Sequence, residues 1–396
     1  MPPVKHAVLG ASSAHRWLAC TPSAQWERGF GEDTPSEAAE EGTLAHAIAE
    51  HHLGELLKGR KPETPSYLKS NRLYRPVMEE HVAVYTDYIM EKYTEACVKT
   101  PDTILCQEQR VDYSQYAPGG FGTADCLMIS DGTLHVFDFK YGKGVPVFAE
   151  GNPQIRLYAL GALGEFSLLY DISTVVVHII QPRLDSITSE SLPVEELQQW
   201  GEEYVKPRAA LAAEGKGEFV AGEHCTFCKC RYKCRALAEY NLSIGLKQYR
   251  EPDHEEVYPN EMTPDDIADV LDRVDSLTRW AKGVKEYALD QAVNHGVSYP
   301  RYKVVEGRAN RQIRDEASVI DKLDGIGFTA DRVTRLKPLG DLEDLIGKKK
   351  LAETLGDLII KPQGKPVLAK ETDRRPAIQS SQDAHAVFTA LEDEDD

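Results

Sequence analysis

Two aspartates and a lysine in the middle of the chain have the types and the spacing that divalent-metal chemistry requires. The segments CLMIS and TLHVFDFKY are short apolar and aromatic runs separated by Asp131-Gly132, which predicts a β-hairpin. Asp138 and Lys140 are two residues apart on its second strand, so they project from the same face. Asp125 lies just before or at the start of the first strand, and pairing across the hairpin can bring it beside Asp138. Two converging carboxylates repel each other unless a cation lies between them, and oxygen ligands select magnesium or manganese. The lysine can then orient an attacking water or neutralise charge on a phosphate.

Four further side chains could complete such a site. A D-x-K pair alone is usually part of a solvated strand edge, so its surroundings decide the interpretation. The segment 152–163 is predicted to be a helix that carries Gln154 and Tyr158 on one face. His46 falls in an Ala-rich helical stretch and offers an imidazole as a metal ligand. Glu108, on the strand before the hairpin, is either a weaker ligand or an exposed strand carboxylate.

The order of these residues resembles the RecB-type exonuclease branch of the PD-(D/E)XK nuclease superfamily. That family has a helix histidine, a G-x-x-D aspartate, a D/E-x-K pair and a Q-x-x-x-Y helix, in this order. The matching positions, within about residues 10 to 240, are His46, Gly122 with Asp125, Asp138 with Lys140, and Gln154 with Tyr158. The resemblance implies an α/β fold with a restriction-endonuclease-like core, in which helices flank a mixed sheet. It also implies that His46, Asp125 and Asp138 bind Mg²⁺ or Mn²⁺, that Asp125, Asp138 and Lys140 are catalytic, and that Gln154 and Tyr158 support the site and contact DNA.

A second group of residues with metal-binding chemistry is the cysteine-rich segment 225–234. It reads CTFCKCRYKC and contains the pattern C-x2-C-x5-C. The sequence has no evident signal peptide, so we expect a reducing compartment, where metal or cluster ligation is favoured over disulfides. A zinc ion at this segment would need a fourth ligand, which His224 or Cys230 could supply.

The cysteine layout is also similar to that of RecB-like nucleases with iron–sulfur clusters, found in AddAB-type repair complexes and in CRISPR-associated adaptation nucleases. These proteins have one cysteine before the nuclease core and C-x2-C-x5-C after it, and Cys20, Cys225, Cys228 and Cys234 match that layout. The resemblance implies a [4Fe–4S] cluster that links the start of the chain to the end of the core. Cys230 is then surplus.

Length and composition agree with an enzyme of the cytoplasm. The chain has 396 residues, 41% of them hydrophobic and 28% charged, which is enough for one large or two moderate domains. No apolar run reaches the roughly 20 residues of a membrane-spanning helix. The net charge of −18 argues against non-specific wrapping of nucleic acid, because such binding neutralises phosphates with Lys and Arg. It does not exclude a nuclease, since local fields and metal ions act at the cleft.

The hydrophobic periodicity predicts the order of the elements. Helices are predicted near 36–58, 75–98, 152–163 and 194–213, and strands near 104–112, 124–130, 133–141, 174–181 and 186–192, with a loop at 61–70. Further on we expect a helix at 263–294, a short strand at 301–306, and helices near 315–326 and 340–355. Basic groups occur at 307–311 and 348–350. These patterns predict a nuclease domain at 1–245, a linker at 246–260, a mainly helical accessory domain at 261–375 and an acidic, disordered end at 376–396.

The stretches DFKYGKG and NPQIRLYALGA make the chain look most like a group of phage and prophage RecB-like proteins. This likeness implies a role in phage DNA recombination, repair or replication in the bacterial host cell, with DNA as substrate and a phage single-strand annealing protein as partner. It is also compatible with a homo-oligomer. We therefore expect a metal-dependent DNA exonuclease that hydrolyses phosphodiester bonds. The alternatives are a structure-selective flap endonuclease and a DNA-binding or scaffold protein with a vestigial site.

Overall fold

The computed structural model describes residues 7–30, 36–243, 264–305, 317–318, 320, 337–355 and 358–359. The predicted linker at 246–260, the acidic end at 376–396, the basic group at 307–311 and most of the predicted helix at 315–326 lie outside these residues.

A mixed five-stranded sheet forms the centre of the described fold. Its strands are β1 (Ile104–Asp112), β2 (Phe121–Ser130), β3 (Thr133–Phe139), β4 (Thr174–Gln181) and β5 (Ser186–Pro193), and they lie in sequence order across the sheet. β3 and β4 are parallel, whereas the other neighbouring pairs are antiparallel. A parallel pair needs a crossover connection, and here the connection contains a helix, α6 (Pro153–Phe166).

The turn between β2 and β3 explains their register. Asp131 and Gly132 both have positive φ angles, 47° and 68°, as a two-residue hairpin turn requires. The pairs Ser130 with Thr133 and Cys126 with Phe137 follow from this turn. The predicted hairpin is confirmed, but β2 starts at Phe121, so Asp125 lies in the middle of the strand rather than at its start.

Helices cover the sheet and also form the C-terminal part of the described chain. α3 and α5 precede the sheet, and α7 and α8 follow it, joined by a π-helical turn at Gly201–Val205. The bounds of the remaining helices are α1 (Ala14–Ala19), α2 (Ser23–Arg28), α3 (Glu37–Leu57), α4 (Ser66–Lys69), α5 (Val77–Lys99), α7 (Val194–Trp200), α8 (Lys206–Glu214), α9 (Arg235–Leu242), α10 (Pro264–Asn294), α11 (Leu339–Ile346) and α12 (Lys348–Leu355).

The described residues form two apolar cores. One packs α6 and the N-terminal helices with sheet residues such as Leu127 and Val136. The other packs α3 and α5 with sheet residues such as Met128 and Phe137. Neighbouring strand residues thus belong to different cores, as the two-residue period of a strand requires. Burial of both sheet faces fixes the register and hence the positions of the polar side chains along it.

Two local predictions are wrong. Residues 301–305 form no strand, although the alternation of residue types there favoured one. The predicted loop at 61–70 contains the short helix α4, which begins after Pro65, where proline suits a helix start. None of the described helices has the length and apolar composition needed to cross a bilayer.

Candidate functional site

His46 on α3, Glu108 on β1 and Asp125 on β2 bring their ligand atoms within 4.8 Å of one another. His46 Nδ1 lies 3.4 Å from Asp125 Oδ1. Asp125 Oδ2 accepts a hydrogen bond of 2.7 Å from the amide of Phe139, which fixes the carboxylate against the end of β3. In the described part of the chain, no other three His, Cys, Asp or Glu side chains lie this close together.

Glu108 enters this group through an unusual backbone conformation. Its φ angle is +46°, in the left-handed region that residues with a Cβ rarely adopt. The strand pairing runs through Gln107 and Gln109 on either side of it, opposite Cys126 and Ala124. The irregularity is therefore confined to the single residue that faces Asp125.

The electrostatics of the group reflect its crowded carboxylates. Burial, and then the charge of Asp125, raise the pKa of Glu108 to about 7. For His46, burial lowers the pKa, but the hydrogen bond and charge of Asp125, followed by the charge of Asp138, outweigh it and raise the pKa overall. Both shifts favour the protonated forms of Glu108 and His46, and a bound cation would displace these protons.

Asp138 and Lys140 form a second group beside the first. Asp138 is buried, with 3% of its surface exposed. Lys140 Nζ donates a hydrogen bond of 3.2 Å to Asp138 Oδ1. It also lies 2.9 Å from Asp138 Oδ2, but this contact lacks hydrogen-bond geometry. Burial raises the pKa of Asp138, and Lys140 opposes this shift without cancelling it. The lysine is therefore held next to a carboxylate that water does not solvate.

Gln154 connects this pair to α6. Its Oε1 accepts a hydrogen bond of 2.9 Å from Lys140 Nζ, and its Nε2 donates to Asp138 Oδ1 at 3.2 Å. The helix start places it there, because Asn152 caps α6 by accepting from the Gln154 amide, with Pro153 at the first turn. Gln154 Nε2 also lies 3.5 Å from the Tyr158 hydroxyl.

The structure brings the predicted site residues together at one place on the sheet. Glu108, predicted as the weakest ligand, is one of the three groups closest to one another, whereas the carboxylate of Asp138 is engaged by Lys140 and Gln154. The same-face position of Asp138 and Lys140, and that of Gln154 and Tyr158, agree with the sequence analysis.

The sequence analysis missed one cation near the site. Arg183 follows β4, lies 2.8 Å from a carboxylate oxygen of Glu41, and stacks on the ring of Tyr141, 4.9 Å from its centroid. Tyr141 is the residue after Lys140. No local pattern could have indicated this contact, because its three residues come from distant parts of the chain.

The cysteines predicted to bind a cluster line one small cavity. It is bounded by Cys20, at the end of α1, and by the cysteine-rich segment, and its thiols are those of Cys20, Cys225, Cys228 and Cys234. Cys230 does not line the cavity, but its thiol hydrogen-bonds to Cys228, and this contact is the main cause of the lowered pKa of Cys228. All eight cysteines are free of disulfides.

Zinc and a cubane cluster need different spacings of their sulfur ligands. Tetrahedral zinc with Zn–S bonds of 2.3 Å places its sulfur ligands about 3.8 Å apart. A cubane cluster, whose four ligands bind four different irons, needs a wider arrangement. Thiols are ligands of the type that both groups require.

The sequence places the chain in a family. Residues 6–376 match the family described as "Protein of unknown function (DUF2800)", and the chain belongs to it. Among solved structures, the chain is similar to the one titled "Crystal structure of SSO0001", with 12% identity over 55% of this chain and 95% of that chain. The TM-score of that match is 0.22, so it carries no argument about this fold or site.

Proposed function

We propose that this protein is a metal-dependent deoxyribonuclease, an exonuclease of the RecB-like PD-(D/E)XK type. The observation that carries the proposal is the meeting of His46, Glu108 and Asp125 beside the Asp138–Lys140 pair. These residues come from four separate elements, and structural packing alone gives no reason to collect three carboxylates, an imidazole and a lysine at one place.

The donor set fits Mg²⁺ or Mn²⁺. Carboxylate oxygens suit these ions, and a cation would favour the ionised form of Glu108, whose pKa is raised by burial and then by the charge of Asp125. Asp125 would hold the ion together with His46 and Glu108, and Asp138 would join them if its carboxylate turned from Lys140. When bound, such an ion polarises a phosphate oxygen and acidifies a water molecule.

The other side chains have roles that follow from their contacts. Lys140, held by Asp138 and Gln154, can donate to the phosphate or to the attacking water. The water oxygen attacks phosphorus and gives one proton to solvent, while the bond from phosphorus to the leaving oxygen breaks and that oxygen takes one proton from solvent. In the family that the sequence resembles, the products are a 5′-phosphate and a 3′-hydroxyl. Tyr158 supports the position of Gln154.

We also propose a [4Fe–4S] cluster on Cys20, Cys225, Cys228 and Cys234. The support is their common cavity and the C-x2-C-x5-C pattern with a distant fourth cysteine. Such a cluster links two segments about 200 residues apart, which restricts the unfolded chain and so stabilises the fold.

The nuclease proposal is tested with end-labelled DNA. The parent, Lys140→Ala and Lys143→Ala are incubated with a linear duplex, its single strand and a flap substrate, with Mg²⁺, with Mn²⁺ or with a chelator. Lys143 is the matched control, because it is an exposed lysine three residues away. We expect metal-dependent release of short products by the parent and the control, and a rate at least about 100-fold lower for Lys140→Ala.

Each result decides a different point. Short products from the first time points support an exonuclease, whereas a single cut at the flap junction supports the endonuclease alternative. Equal rates for Lys140→Ala and the parent would show that the site is wrongly assigned. If the parent cleaves none of the substrates with either metal, the nuclease proposal fails.

The cluster proposal is tested by iron, sulfide and zinc analysis of protein purified without oxygen. We expect four irons and four sulfides per chain, broad visible absorbance, and loss of both in Cys20→Ser but not in Cys97→Ser, since Cys97 lies on α5 and not at the cavity. One zinc per chain without iron would establish the zinc alternative.

A further inference from the structure

A groove among the described residues lies outside the candidate nuclease site. It encloses about 590 Å³, including the part open to solvent, and lies between the cysteine-rich segment, α9 and α10. Its polar and aromatic lining comes from Thr226, Arg231, Tyr232, Ser276, Arg279 and Trp280. The proposed nuclease function assigns no role to any of these residues.

The lining of the groove combines two guanidinium groups with two aromatic rings. Arg231 and Arg279 can bind phosphate oxygens through several N–H groups each. Trp280 presents a ring on which a base can stack. The Tyr232 ring is covered by the Arg231 guanidinium, 4.5 Å from its centroid, and by Gly283, and the hydroxyls of Thr226 and Ser276 already donate to Glu223 and Asn241. A sugar-phosphate with an attached base is the ligand class that uses the two guanidinium groups and the indole ring at once.

The groove is held in shape by contacts between its two walls. Trp280 Nε1 donates to the backbone carbonyl of Arg231 at 3.2 Å. Tyr232 packs directly on Gly283 of α10, where a Cβ atom would lie 2.2 Å from the tyrosine ring. The aromatic side chains are thus fixed before any ligand arrives, which reduces the entropy lost on binding.

The cations of this region are concentrated on one wall of the groove. Residues 225–235 contain four cations, Lys229, Arg231, Lys233 and Arg235, and no acidic residue, whereas α10 carries seven acidic and four basic residues. A phosphate in the groove is therefore expected to lie against the cysteine-rich segment and Arg279.

We propose that this groove binds one nucleotide of a single-stranded DNA, with the base on Trp280 and the phosphate on Arg231 and Arg279. This inference deepens the proposed function, because it adds a second contact for the DNA that the nuclease site would cut. The same chemistry could accept a free nucleotide. Binding needs no metal and no cleavage, so it can be measured apart from catalysis.

The test is fluorescence anisotropy of a labelled single-stranded oligonucleotide, with the parent protein in a metal chelator that spares the cysteine site. Arg279→Ala is compared with Lys285→Ala, because both are exposed cations on α10 but Lys285 does not line the groove. We expect Arg279→Ala to weaken binding about tenfold and to reduce the slope of log affinity against log salt by about 1. Lys285→Ala should match the parent.

A second arm uses tryptophan fluorescence and adenosine monophosphate. Stacking on Trp280 should quench part of the fluorescence, and this part should be absent in Trp280→Phe. Binding of the oligonucleotide without competition from the monophosphate assigns the groove to a strand, whereas full competition assigns it to a free nucleotide. Unchanged affinity and salt slope in Arg279→Ala would overturn the groove proposal, even if cleavage persists. If the parent protein binds the oligonucleotide but cleaves no DNA, the nuclease proposal fails and the groove proposal stands.

Discussion

At the residue scale, the position of Tyr158 depends on the absence of a side chain at Gly122. A Cβ atom there would lie 2.6 Å from Tyr158 Cε1, closer than real contacts allow. The tyrosine is 8% exposed and its hydroxyl lies 3.5 Å from Gln154, which in turn binds Lys140. Gly122, the glycine of the G-x-x-D motif, therefore makes room for Tyr158. Its effect on Lys140 passes through the side chains of Tyr158 and Gln154.

We predict that Gly122→Ala lowers the free energy of unfolding by about 1–3 kcal/mol, because the ring has to move in a packed core. Gly164→Ala is the control: it lies on the exposed side of α6 with nothing within 4 Å of the added atom, so it should be neutral or stabilising by up to about 1 kcal/mol. Urea unfolding measures both. Equal stability of Gly122→Ala and the parent would contradict the packing argument.

We predict that Cys230→Ala keeps the iron content of the parent, whereas Cys228→Ala loses it. Cys228 lines the cavity and Cys230 only hydrogen-bonds to it. Removing that hydrogen bond should lower the reduction potential of the cluster, since hydrogen bonds to the sulfurs raise it. Iron analysis and a redox titration measure the two effects. Loss of iron in Cys230→Ala would make Cys230 a ligand.

The residues of the site could be predicted from the sequence, but which of them lie closest together could not. The order of His46, Asp125 and Asp138 along the chain is visible in the sequence. Glu108 lies beside His46 and Asp125 because its φ angle in β1 is +46°. A glutamate in the sequence does not indicate that its backbone adopts such an angle.

At the element scale, a buried polar chain joins α5 to the sheet. Tyr88 on α5 hydrogen-bonds to His178 Nδ1 at 3.1 Å, and His178 Nε2 lies 3.0 Å from His135 Nδ1. His178 also stacks on Phe137, with 4.5 Å between the ring centroids. Burial, then the neighbouring His135 and Lys92, lower the pKa of His178 to about 3. The packing of α5 on the sheet therefore requires a neutral imidazole.

We predict that acid destabilises the protein through this histidine. The folded pKa is about 3 and the ordinary value is 6.5, so below pH 6.5 the unfolded chain takes up a proton that the folded chain does not. Between pH 7.5 and 5.0 this removes about 2 kcal/mol of stability. Urea unfolding at both pH values should show a smaller loss in His178→Gln and the parental loss in the exposed control His295→Gln. An equal pH dependence in all three proteins would contradict this account.

The elements themselves were largely predictable, because each depends on local periodicity and turn residues. The hairpin at Asp131-Gly132 and the capped start of α6 are examples. The contact of α10 with the cysteine-rich segment was not predictable. It depends on Tyr232 packing on Gly283, and these residues are 51 positions apart. Neither the cysteine spacing nor the helical periodicity of α10 indicates this pairing.

At the scale of the whole molecule, the segment that contains α1 and α2 is bound to the chain after β5. Thr21 donates to the carbonyl of Lys216 at 2.6 Å, and Gln25 donates to that of Ala213 at 2.6 Å. Glu27 accepts from the amide of Lys229 at 2.7 Å. These contacts surround the cavity of Cys20, so the proposed cluster would lie where the two segments already meet.

We predict that removing the cluster exposes both segments together. Limited proteolysis of the parent, of chelator-treated protein and of Cys20→Ser should show new cuts near residues 20–30 and 216–230 in the last two, because the hydrogen bonds alone hold the segments less firmly. The region of β2 and β3 should stay protected. New cuts in only one of the two segments would show that the cluster does not join them.

The contacts between the N-terminal segment and the chain after β5 can form only late in synthesis. Residues 7–30 leave the ribosome early, but the carbonyls and amides that they bind belong to residues 213–229. At about 5–20 residues per second, the interval is roughly 10–40 seconds. During that interval the faces of α1 and α2 that pack on α8 lack their partner, although α1 can already contact α6. The hydrogen bonds between the N-terminal segment and the chain after β5 therefore form only after the later segment has emerged.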